Sequence, residues 1–272
     1  MNSKFAEVFC GTKYKNSADA LIKQRVEMKL IGIDSSGLVA SVAIMENDKL
    51  VAEYTINNKK THSQTLLPML EEIVKNAGLE MKEIDAIAIA AGPGSFTGLR
   101  IGSATTKGLG LALKKPIVPV STLDALAYNM YGVNSLVCPI MDARRNQVYT
   151  GVYAFEATDA EGSGLCKAYK LNVIKEPCAV PIEEIADALN GMNREVIFLG
   201  DGVPVFAEQL SDLMKVNYSF APGHLRLQKA GCVASLGMEK FKAGVYEDAS
   251  EHSPEYLRLS QAERERKEAG LL

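Results

Sequence analysis

The feature of this sequence that most restricts its fold is an internal repeat of secondary-structure order. Runs of β-forming residues at 30–34, 39–46 and 50–56 are separated by SSG and ND turn signals, and they predict three consecutive antiparallel strands. An amphipathic helix, a buried strand, the loop GPGSFTG, a second helix, a strand and a third helix follow. The order βββαβαβα then recurs from residue 137 onward. Two copies of one unit predict two lobes of the same α/β type.

The two copies also agree at their turns. Asp34 and Asp142 each close the first strand of a copy, and the glycine turns GPG at 92–94 and GDG at 200–202 each follow the fourth strand. Duplicated βββαβαβα lobes that face a cleft are the architecture of actin, the Hsp70 nucleotide domain and sugar kinases. By analogy the predicted class is α/β with an actin-like (ASKHA, RNase H-like) fold, which does not by itself give a function.

Composition and charge narrow the classes of function. The chain has 272 residues, of which 47% are hydrophobic and 23% are charged, so one large globular domain or two smaller ones are expected. The formal net charge of −3 gives no general basic field, and tight binding of nucleic acid by this chain alone is not expected. No apolar stretch approaches the roughly 20 residues that cross a bilayer, so we expect a soluble protein.

The cysteines indicate a reducing compartment. Their number is odd and no two form a C-x-x-C pair, which favours reduced thiols in the cytoplasm over a disulfide scaffold or a zinc site. We expect most of them to be buried small hydrophobic residues. The five are Cys10, Cys138, Cys166, Cys178 and Cys232.

The chain divides into four predicted segments. Residues 1–27 lack the apolar core of a signal peptide and the acid-poor composition of a transit peptide, so they indicate either an upstream start codon or an unstructured, flexible leader. Residues 28–135 form the predicted N-terminal lobe with the partner-binding helices, and 136–226 form the C-terminal lobe. Residues 227–272 comprise a C-terminal helix, expected to pack back on the N-terminal lobe, and a charged tail.

The glycine loop matches neither of the common phosphate-binding motifs. A Walker loop needs G-x-x-x-x-G-K-[ST], and a dinucleotide loop needs a third glycine where Thr97 stands. The loop still gathers the Ser95 and Thr97 hydroxyls and backbone N–H groups from Gly94 to Gly98 at a helix N-terminus. That grouping favours an anion or the polar groups of a partner. A plain strand-to-helix turn with Ser95 or Thr97 as the N-cap is the alternative, and both remain open.

The helix after this loop carries a stripe of small residues. Gly98, Gly102, Thr106 and Gly110 recur at every fourth position, which forms one flat helix face. Interior glycines together lower helix stability by about 2 to 3 kcal/mol relative to alanine, so close packing is expected to offset the loss. The face is predicted either to pack on the helix at 66–77 or to join it in a subunit interface.

The usual catalytic residues are missing. None of the three histidines, His62, His224 and His252, has a neighbour at metal-ligand spacing, and each is expected to face solvent or to cap a loop. The chain has no G-x-S-x-G elbow, and Ser95 has no base nearby in the sequence.

The strand-end aspartates indicate a degenerate nucleotide cleft. Asp34 is followed by Ser-Ser-Gly, whereas an ATPase of this class needs glycine close behind the aspartate so that a phosphate can approach the backbone. Asp142, with Arg144 and Arg145, either lines the opposite side of the cleft or forms a charged hairpin turn. An ATP-dependent phosphotransferase that uses Asp34 and Asp142 therefore stays as the alternative function.

Five segments resemble the TsaB (YeaZ) family of bacterial tRNA threonylcarbamoyladenosine biosynthesis proteins. The match runs from residue 28 to the PEYLR at 254–258 and is strongest at 92–102. The segments are LIGIDSSGLVASVAI, HSQTLLPMLEEI, IDAIAIAAGPGSFTGLRIGSATTKGLGLAL, PIVPVSTLDALA and MDARRNQVYTGVY.

The resemblance implies a cytoplasmic, non-catalytic subunit of a tRNA-modifying complex. In this system the related TsaD transfers threonylcarbamoyl to the adenosine beside the anticodon, TsaE is an ATPase, and the TsaB subunit pairs with TsaD or, alone, with a second copy. The positions aligned with the metal-binding histidines of TsaD are Thr122 and Leu126, so no metal site carries over. No cofactor is implied for the chain itself, although ATP or ADP near the partner interface is compatible with the family.

The resemblance also assigns candidate residues. Contact with tRNA is expected to be indirect, because the net charge of −3 predicts that the partners neutralise most of the phosphates. The implied partner interface comprises Leu66, Leu67, Leu70, Gly98, Ile101, Gly102 and Thr105. The candidate contacts to a nucleotide or an anion are Asp34, Gly92, Gly94, Ser95, Thr97 and Gly98.

Overall fold

The computed structural model describes residues 27–58, 60–158 and 168–258. The strands are β1 (Lys29–Asp34), β2 (Ala40–Glu46), β3 (Lys49–Ile56), β4 (Ala86–Gly92), β5 (Ile117–Ser121), β6 (Leu136–Asp142), β7 (Gln147–Ala157), β8 (Tyr169–Pro181), β9 (Val196–Leu199) and β10 (Tyr218–Phe220). The helices are α1 (His62–Asn76), α2 (Phe96–Leu113), α3 (Thr122–Ala127), α4 (Ile182–Met192), α5 (Val203–Leu213) and α6 (Ala230–Lys242). Short 3-10 turns occupy Met81–Glu83 and Tyr128–Met130.

Strand order confirms the predicted duplication. One sheet has the order β3-β2-β1-β4-β5, and the other, counted from its far edge, has the equivalent order β8-β7-β6-β9-β10. In both sheets the first three strands pair antiparallel, whereas the first strand pairs parallel with the fourth and the fourth with the fifth. The fold is therefore the duplicated, actin-like α/β type.

Alternating side chains of β1 place helices on both faces of the first sheet. Ile31 and Ile33 belong to the core that is shared with α1 and α2, whereas Leu30 packs with α6 on the opposite face. Gly32 lies on that second face, where a Cβ atom would lie 2.4 Å from the Ala230 carbonyl oxygen. Helix α6, the last helix in the described part of the chain, thus packs closely on the first sheet.

The second sheet is also covered on both faces. Helices α4 and α5 pack on one face around Phe198 and Phe206. On the other face, Leu123 and Leu126 of α3 pack against β6 and β7 through residues such as Tyr153. Because α3 lies between β5 and β6 in the chain, it joins the two lobes within the core.

Three elements accommodate proline in different ways. Helix α1 contains Pro68 in its interior. Helix α5 has Pro204 in its first turn, where proline is well tolerated. Strand β8 contains Pro177, which is accommodated because β8 lies at the edge of its sheet.

Some predictions lie wholly or largely outside the described residues. These are the flexible leader at 1–27, of which only Glu27 is described, the charged tail beyond 258, and Cys10 and Cys166. In the described part of the chain, Cys138, Cys178 and Cys232 are free thiols, and burial raises the pKa of Cys138 to about 12. No helix in the described part is long and apolar enough to span a membrane.

Candidate functional site

The aspartate that ends β1 supports the turn that follows it. The Asp34 side chain is completely buried, and its carboxylate accepts hydrogen bonds from the Ser36 N–H at 2.9 Å and the Ser36 hydroxyl at 2.6 Å. Burial raises the pKa of Asp34 to about 6, against the lowering effect of the two Ser36 hydrogen bonds. Asp34 therefore stabilises the turn from within and does not line the space between the lobes.

The same turn holds the first residues of α2. The Ser36 carbonyl accepts a hydrogen bond from the Ser95 N–H at 2.7 Å, and the Ser35 hydroxyl donates to the Gly98 carbonyl at 2.9 Å. The Ser95 hydroxyl accepts from the Gly98 N–H at 3.3 Å, so Ser95 is the N-cap of α2. The loop is therefore a strand-to-helix turn with Ser95 as the N-cap, and its binding of an anion stays a prediction.

Gly94, just before α2, and two glycines within α2 allow close contact with that turn. A Cβ atom on Gly94 would lie 2.3 Å from the Ser36 carbonyl oxygen, and one on Gly98 would lie 2.1 Å from the Ser35 carbonyl oxygen. A Cβ atom on Gly102 would lie 2.3 Å from the Ser35 hydroxyl oxygen. The first part of the glycine face, Gly98 and Gly102, therefore packs on the turn between β1 and β2 and not on α1, whereas a Cβ atom on Gly110 would lie 2.7 Å from the Ala249 Cβ. Gly98 and Gly102 are buried by their own chain, which corrects their assignment as partner contacts.

The remaining predicted interface residues differ in exposure. Leu66 and Leu70 of α1 are only 1% and 4% exposed, because both pack in the core beneath the helices. Leu67 is 53% exposed, and Ile101 and Thr105 of α2 are half-buried. Leu67, Ile101 and Thr105 are therefore the predicted interface residues with the larger exposed surface.

Of these three residues, Leu67 lines an apolar groove. Its volume is about 590 Å³, and Glu71 and Lys75 are its charged lining residues. The apolar lining, which we call the α1/α2 groove, comprises Leu67, Pro68, Leu70, Val74, Leu79, Met81 and Leu109. Exposed apolar surface of this kind is a mark of a binding surface in soluble proteins.

A second concave region, the interlobe cleft, separates the two lobes. It has a volume of about 540 Å³ and is lined by Gly94 and Ser95 from one lobe and by Asp142 and Asp201 from the other. Of the predicted nucleotide or anion contacts, only Gly94 and Ser95 line this cleft. The others, Asp34, Gly92, Thr97 and Gly98, lie outside its lining.

The C-terminal side of the cleft is the turn between β6 and β7. Asp142 accepts a hydrogen bond from the Arg144 N–H at 2.8 Å and pairs with the Arg144 guanidinium at 3.1 Å. The Asp142 N–H donates to the Asp201 carboxylate at 3.3 Å, and burial raises the pKa of Asp201 to about 6. Arg144, Arg145 and Asn146 all have positive φ values, of 63°, 56° and 57°. The turn is charged and its backbone is unusual for residues with side chains.

Gly92 has a role that the sequence pattern did not reveal. Its φ is +141°, and a Cβ atom would lie 2.1 Å from the Glu255 carbonyl oxygen. The Glu255 N–H donates a hydrogen bond to the Ala91 carbonyl at 2.8 Å. The glycine at 92 therefore admits a segment from the end of the described chain, residues 253–258, which we call the C-terminal strap.

The C-terminal strap links the two lobes. The Tyr256 ring stacks on Phe96 of α2 with a centroid distance of 4.7 Å, and the Tyr256 hydroxyl accepts a hydrogen bond from Arg100 at 3.2 Å. Beyond it, the Arg258 guanidinium donates to the Ala143 carbonyl in the β6–β7 turn at 2.7 Å. The sequence marked PEYLR at 254–258 as the end of the family match, but it predicted no contact for this segment, because the segment has neither helical nor strand periodicity.

The histidines only partly match the prediction that each faces solvent or caps a loop. His224 is exposed, and the His62 ring lies 3.0 Å from the Gly37 carbonyl. His252 does not face solvent, because it is buried and its Nδ1 lies 2.5 Å from the Glu247 carboxylate.

The described residues offer no cluster of three His, Cys, Asp or Glu side chains that could hold a metal. Thr122 and Leu126, the positions that the family resemblance aligns with metal-binding histidines, are both buried in α3. Neither the neutral hydroxyl of threonine nor the alkyl side chain of leucine can replace a histidine imidazole as a zinc ligand.

Comparison with known proteins places these features in a family. The model of the TsaD family, described as tRNA N6-adenosine threonylcarbamoyltransferase, matches residues 49–266. The tRNA threonylcarbamoyladenosine biosynthesis protein TsaB of Bacillus subtilis is 31% identical over 87% of this chain and 96% of the relative. Escherichia coli TsaB is 26% identical over 85% of this chain and 95% of the relative.

A solved structure agrees with these relatives. YeaZ from Pseudomonas aeruginosa superposes with a TM-score of 0.69 at 27% identity, over 85% of this chain and all of that one. The family model spans most of this chain. The two relatives, which match this chain over nearly their whole length, carry the TsaB name. The chain thus belongs to the TsaB family of tRNA threonylcarbamoyladenosine biosynthesis proteins, within the wider family that the TsaD model describes.

Proposed function

We propose that this chain is a non-catalytic subunit of the tRNA threonylcarbamoyladenosine modification complex in the cytoplasm. Its role is to bind a TsaD-like threonylcarbamoyltransferase through the α1/α2 groove, with a TsaE-like ATPase as a further component of the complex. The groove is the observation that carries the proposal, because it is a concave, mostly apolar surface formed by α1, the segment after it and Leu109 of α2, and the family resemblance assigns these two helices to partner binding.

The chemistry of the groove suits a protein partner. Leu67 is 53% exposed at one side of it, and Leu109 of α2 is half-buried at the other. Glu71 and Lys75 provide a polar border to this apolar centre. Partly exposed aliphatic residues with a charged border are typical of the core and rim of a protein interface.

The family comparison supports the choice of partner. The family model that matches this chain is the one described as the transferase, so the transferase is expected to have the same helices on its own first lobe. Two related helix pairs can then pack against each other with their apolar surfaces in contact. In the absence of the transferase, a second copy of this chain would occupy the same groove and form a homodimer.

A non-catalytic role agrees with the positions of the aspartates. A nucleotide-hydrolysing lobe needs its strand-end carboxylate at the cleft, whereas Asp34 is buried and bonded to Ser36. Thr122 and Leu126 offer no metal ligand where the transferase is expected to have histidines. We therefore assign assembly to this subunit and transfer chemistry to its partner.

Reconstitution tests the proposal. Modification of tRNA is measured with the transferase and the ATPase, first with this chain and then without it. We expect modified tRNA to fall to background when the chain is omitted and to stay low when Leu67→Asp replaces it. Unchanged modification in its absence would contradict the proposal.

A second candidate function, an ATP-dependent phosphotransferase, has one observation in its favour. Arg144 and Asp142 both line the interlobe cleft, where a guanidinium binds phosphate and a carboxylate acts as a general base. ATP turnover by the isolated chain that is lost in Asp142→Asn would support it. Asp34→Asn is a poorer test, because Asp34 is buried and its loss alters the turn itself.

A further inference from the structure

We propose that the β6–β7 turn is a phosphodiester-binding site through which this subunit contacts tRNA directly, with Arg144 and Arg145 as its principal charged groups. The inference rests on the proposed function, because it takes the RNA from the complex in which the chain acts. It differs from the indirect contact that the net charge of −3 predicts.

Three guanidinium groups come together at this turn. The side chain of Arg144 is 86% exposed although it pairs with Asp142, and Arg145 is exposed and has no ion pair to any residue in the described ranges. The C-terminal strap adds Arg258, whose guanidinium donates to the Ala143 carbonyl. All three arginines line the interlobe cleft. Guanidinium groups bind phosphate oxygens with two parallel hydrogen bonds, so this grouping suits an RNA backbone.

The backbone of the turn also favours an anion. Arg144, Arg145 and Asn146 are three successive residues in the left-handed region, with φ between 56° and 63°. Each residue with a side chain costs about 1 to 2 kcal/mol there. The Arg145 and Asn146 N–H groups make no hydrogen bond to any residue that the structure describes. Successive free N–H groups in such a turn form a concave anion-binding surface, and strain of this kind is concentrated at functional sites.

The surroundings favour a phosphodiester over a free nucleoside triphosphate. The Ser36 hydroxyl on the opposite side of the cleft is bonded to Asp34, and the C-terminal strap crosses between the lobes through Tyr256 and Arg258. The arginines at 144 and 145 lie on the exposed rim, where a large polyanion can reach them from outside.

The salt dependence of tRNA binding tests the inference. The complex of this chain with the transferase is titrated against tRNA between 50 and 300 mM salt, with the wild-type chain and with Arg144→Asn/Arg145→Asn. Asparagine removes the charge and tolerates positive φ. Loss of two phosphate contacts should lower the slope of log affinity against log salt by about 1.5 and weaken binding about 30-fold at 100 mM salt.

Two further variants keep the test specific. Lys114→Asn/Lys115→Asn is the matched control, because it removes the same charge outside the cleft and Lys114 also has positive φ, at 55°. It should leave the slope within about 0.3 of the wild-type value. Arg144→Lys/Arg145→Lys keeps the charges and should retain most of the slope while losing the paired hydrogen bonds.

The outcomes separate this inference from the proposed function. If the complex forms and the asparagine and control variants have equal slopes, the phosphodiester site is wrong although the proposed function stands. If the wild-type chain forms no complex with the transferase, the proposed function itself fails. Binding of ATP that is lost in the arginine variant, with tRNA slopes unchanged, would overturn the inference in favour of a nucleotide.

Discussion

Asp34 and Asp142 occupy equivalent positions in the two lobes, because each closes the first strand of its sheet. Asp34 is completely buried, and Ser36 donates both of its hydrogen bonds. Asp142 lies at the interlobe cleft, where it pairs with an exposed Arg144. The same residue at the same point of a repeated fold is thus an internal support in one lobe and a cleft residue in the other.

The turns that follow these aspartates differ in the same way. In the first lobe, Ser35 and Ser36 are covered by Gly98 and Gly94, so the turn supports the beginning of α2. In the second lobe, the turn at 143–146 keeps its arginines exposed beside the cleft. The first turn therefore fixes the helix that carries the α1/α2 groove, and the second remains open to a charged ligand.

The largest expected effect comes from breaking the contact of the first turn with α2. Gly98→Ala places a Cβ atom 2.1 Å from the Ser35 carbonyl oxygen, and we expect it to lower the free energy of unfolding by about 3 kcal/mol. Denaturant unfolding measures this change. The control is Gly108→Ala on the same helix, where a Cβ atom would meet no other part of the protein within 4 Å. This variant should raise the free energy of unfolding by about 0.5 to 1 kcal/mol. Equal effects would contradict the packing described for α2.

The next effect concerns the charge of Asp34. Its pKa is raised from 3.8 to about 6 in the folded state, so between these values the unfolded chain loses the proton first and stability falls as pH rises. Asp34→Asn removes this fall, and we expect the wild-type protein to lose about 2 to 3 kcal/mol more than the variant between pH 4 and 7. Thermal unfolding across that range measures the difference.

A matched variant in the other lobe sharpens this prediction. Asp142→Asn breaks a pair with an exposed arginine and should change stability by less than about 1 kcal/mol at any pH in that range. Parallel stability curves for the wild-type and Asp34→Asn proteins would show that Asp34 is not the buried titrating group inferred from the structure.

The smallest effect comes from the C-terminal strap. Tyr256→Ala removes the ring stacked on Phe96, and a loss of about 1 kcal/mol is expected because the tyrosine is partly exposed. Hydrogen exchange should also become faster at 143–147, since Arg258 of the strap holds the Ala143 carbonyl. Tyr246→Ala, at a tyrosine of similar exposure outside the strap, should leave exchange at that turn unchanged. Unchanged exchange at 143–147 in Tyr256→Ala would show that the C-terminal strap does not stabilise the β6–β7 turn.

The sequence predicted the parts of the structure that depend on local patterns. Alternation and turn residues gave the order of strands, and Ser95, one of the two predicted N-cap candidates, caps α2. These features need only neighbouring residues, so periodicity and capping preferences are enough to find them.

Contacts between distant segments could not be predicted in the same way. The stripe of Gly98 and Gly102 indicated close packing, but its neighbour proved to be Ser35, some 60 positions earlier, and not α1. Gly92 faces Glu255, and His252 is buried beside Glu247, because the end of the chain returns to the first lobe. A single sequence shows that such a glycine needs space without showing which segment fills it.

Light scattering on a size-exclusion column tests the central claim that the α1/α2 groove binds the partner. The chain is run with the TsaD-like transferase as wild type, as Leu67→Asp and as Leu111→Asp, which changes a leucine of nearly equal exposure, 54% against 53%, elsewhere on the helices. We expect a heterodimer for the wild type and for Leu111→Asp, and separate elution for Leu67→Asp. Gly102→Leu is unsuitable, because Gly102 packs against Ser35 within its own chain. A heterodimer that survives Leu67→Asp, or separate elution of the wild-type proteins, would contradict the assignment of the groove.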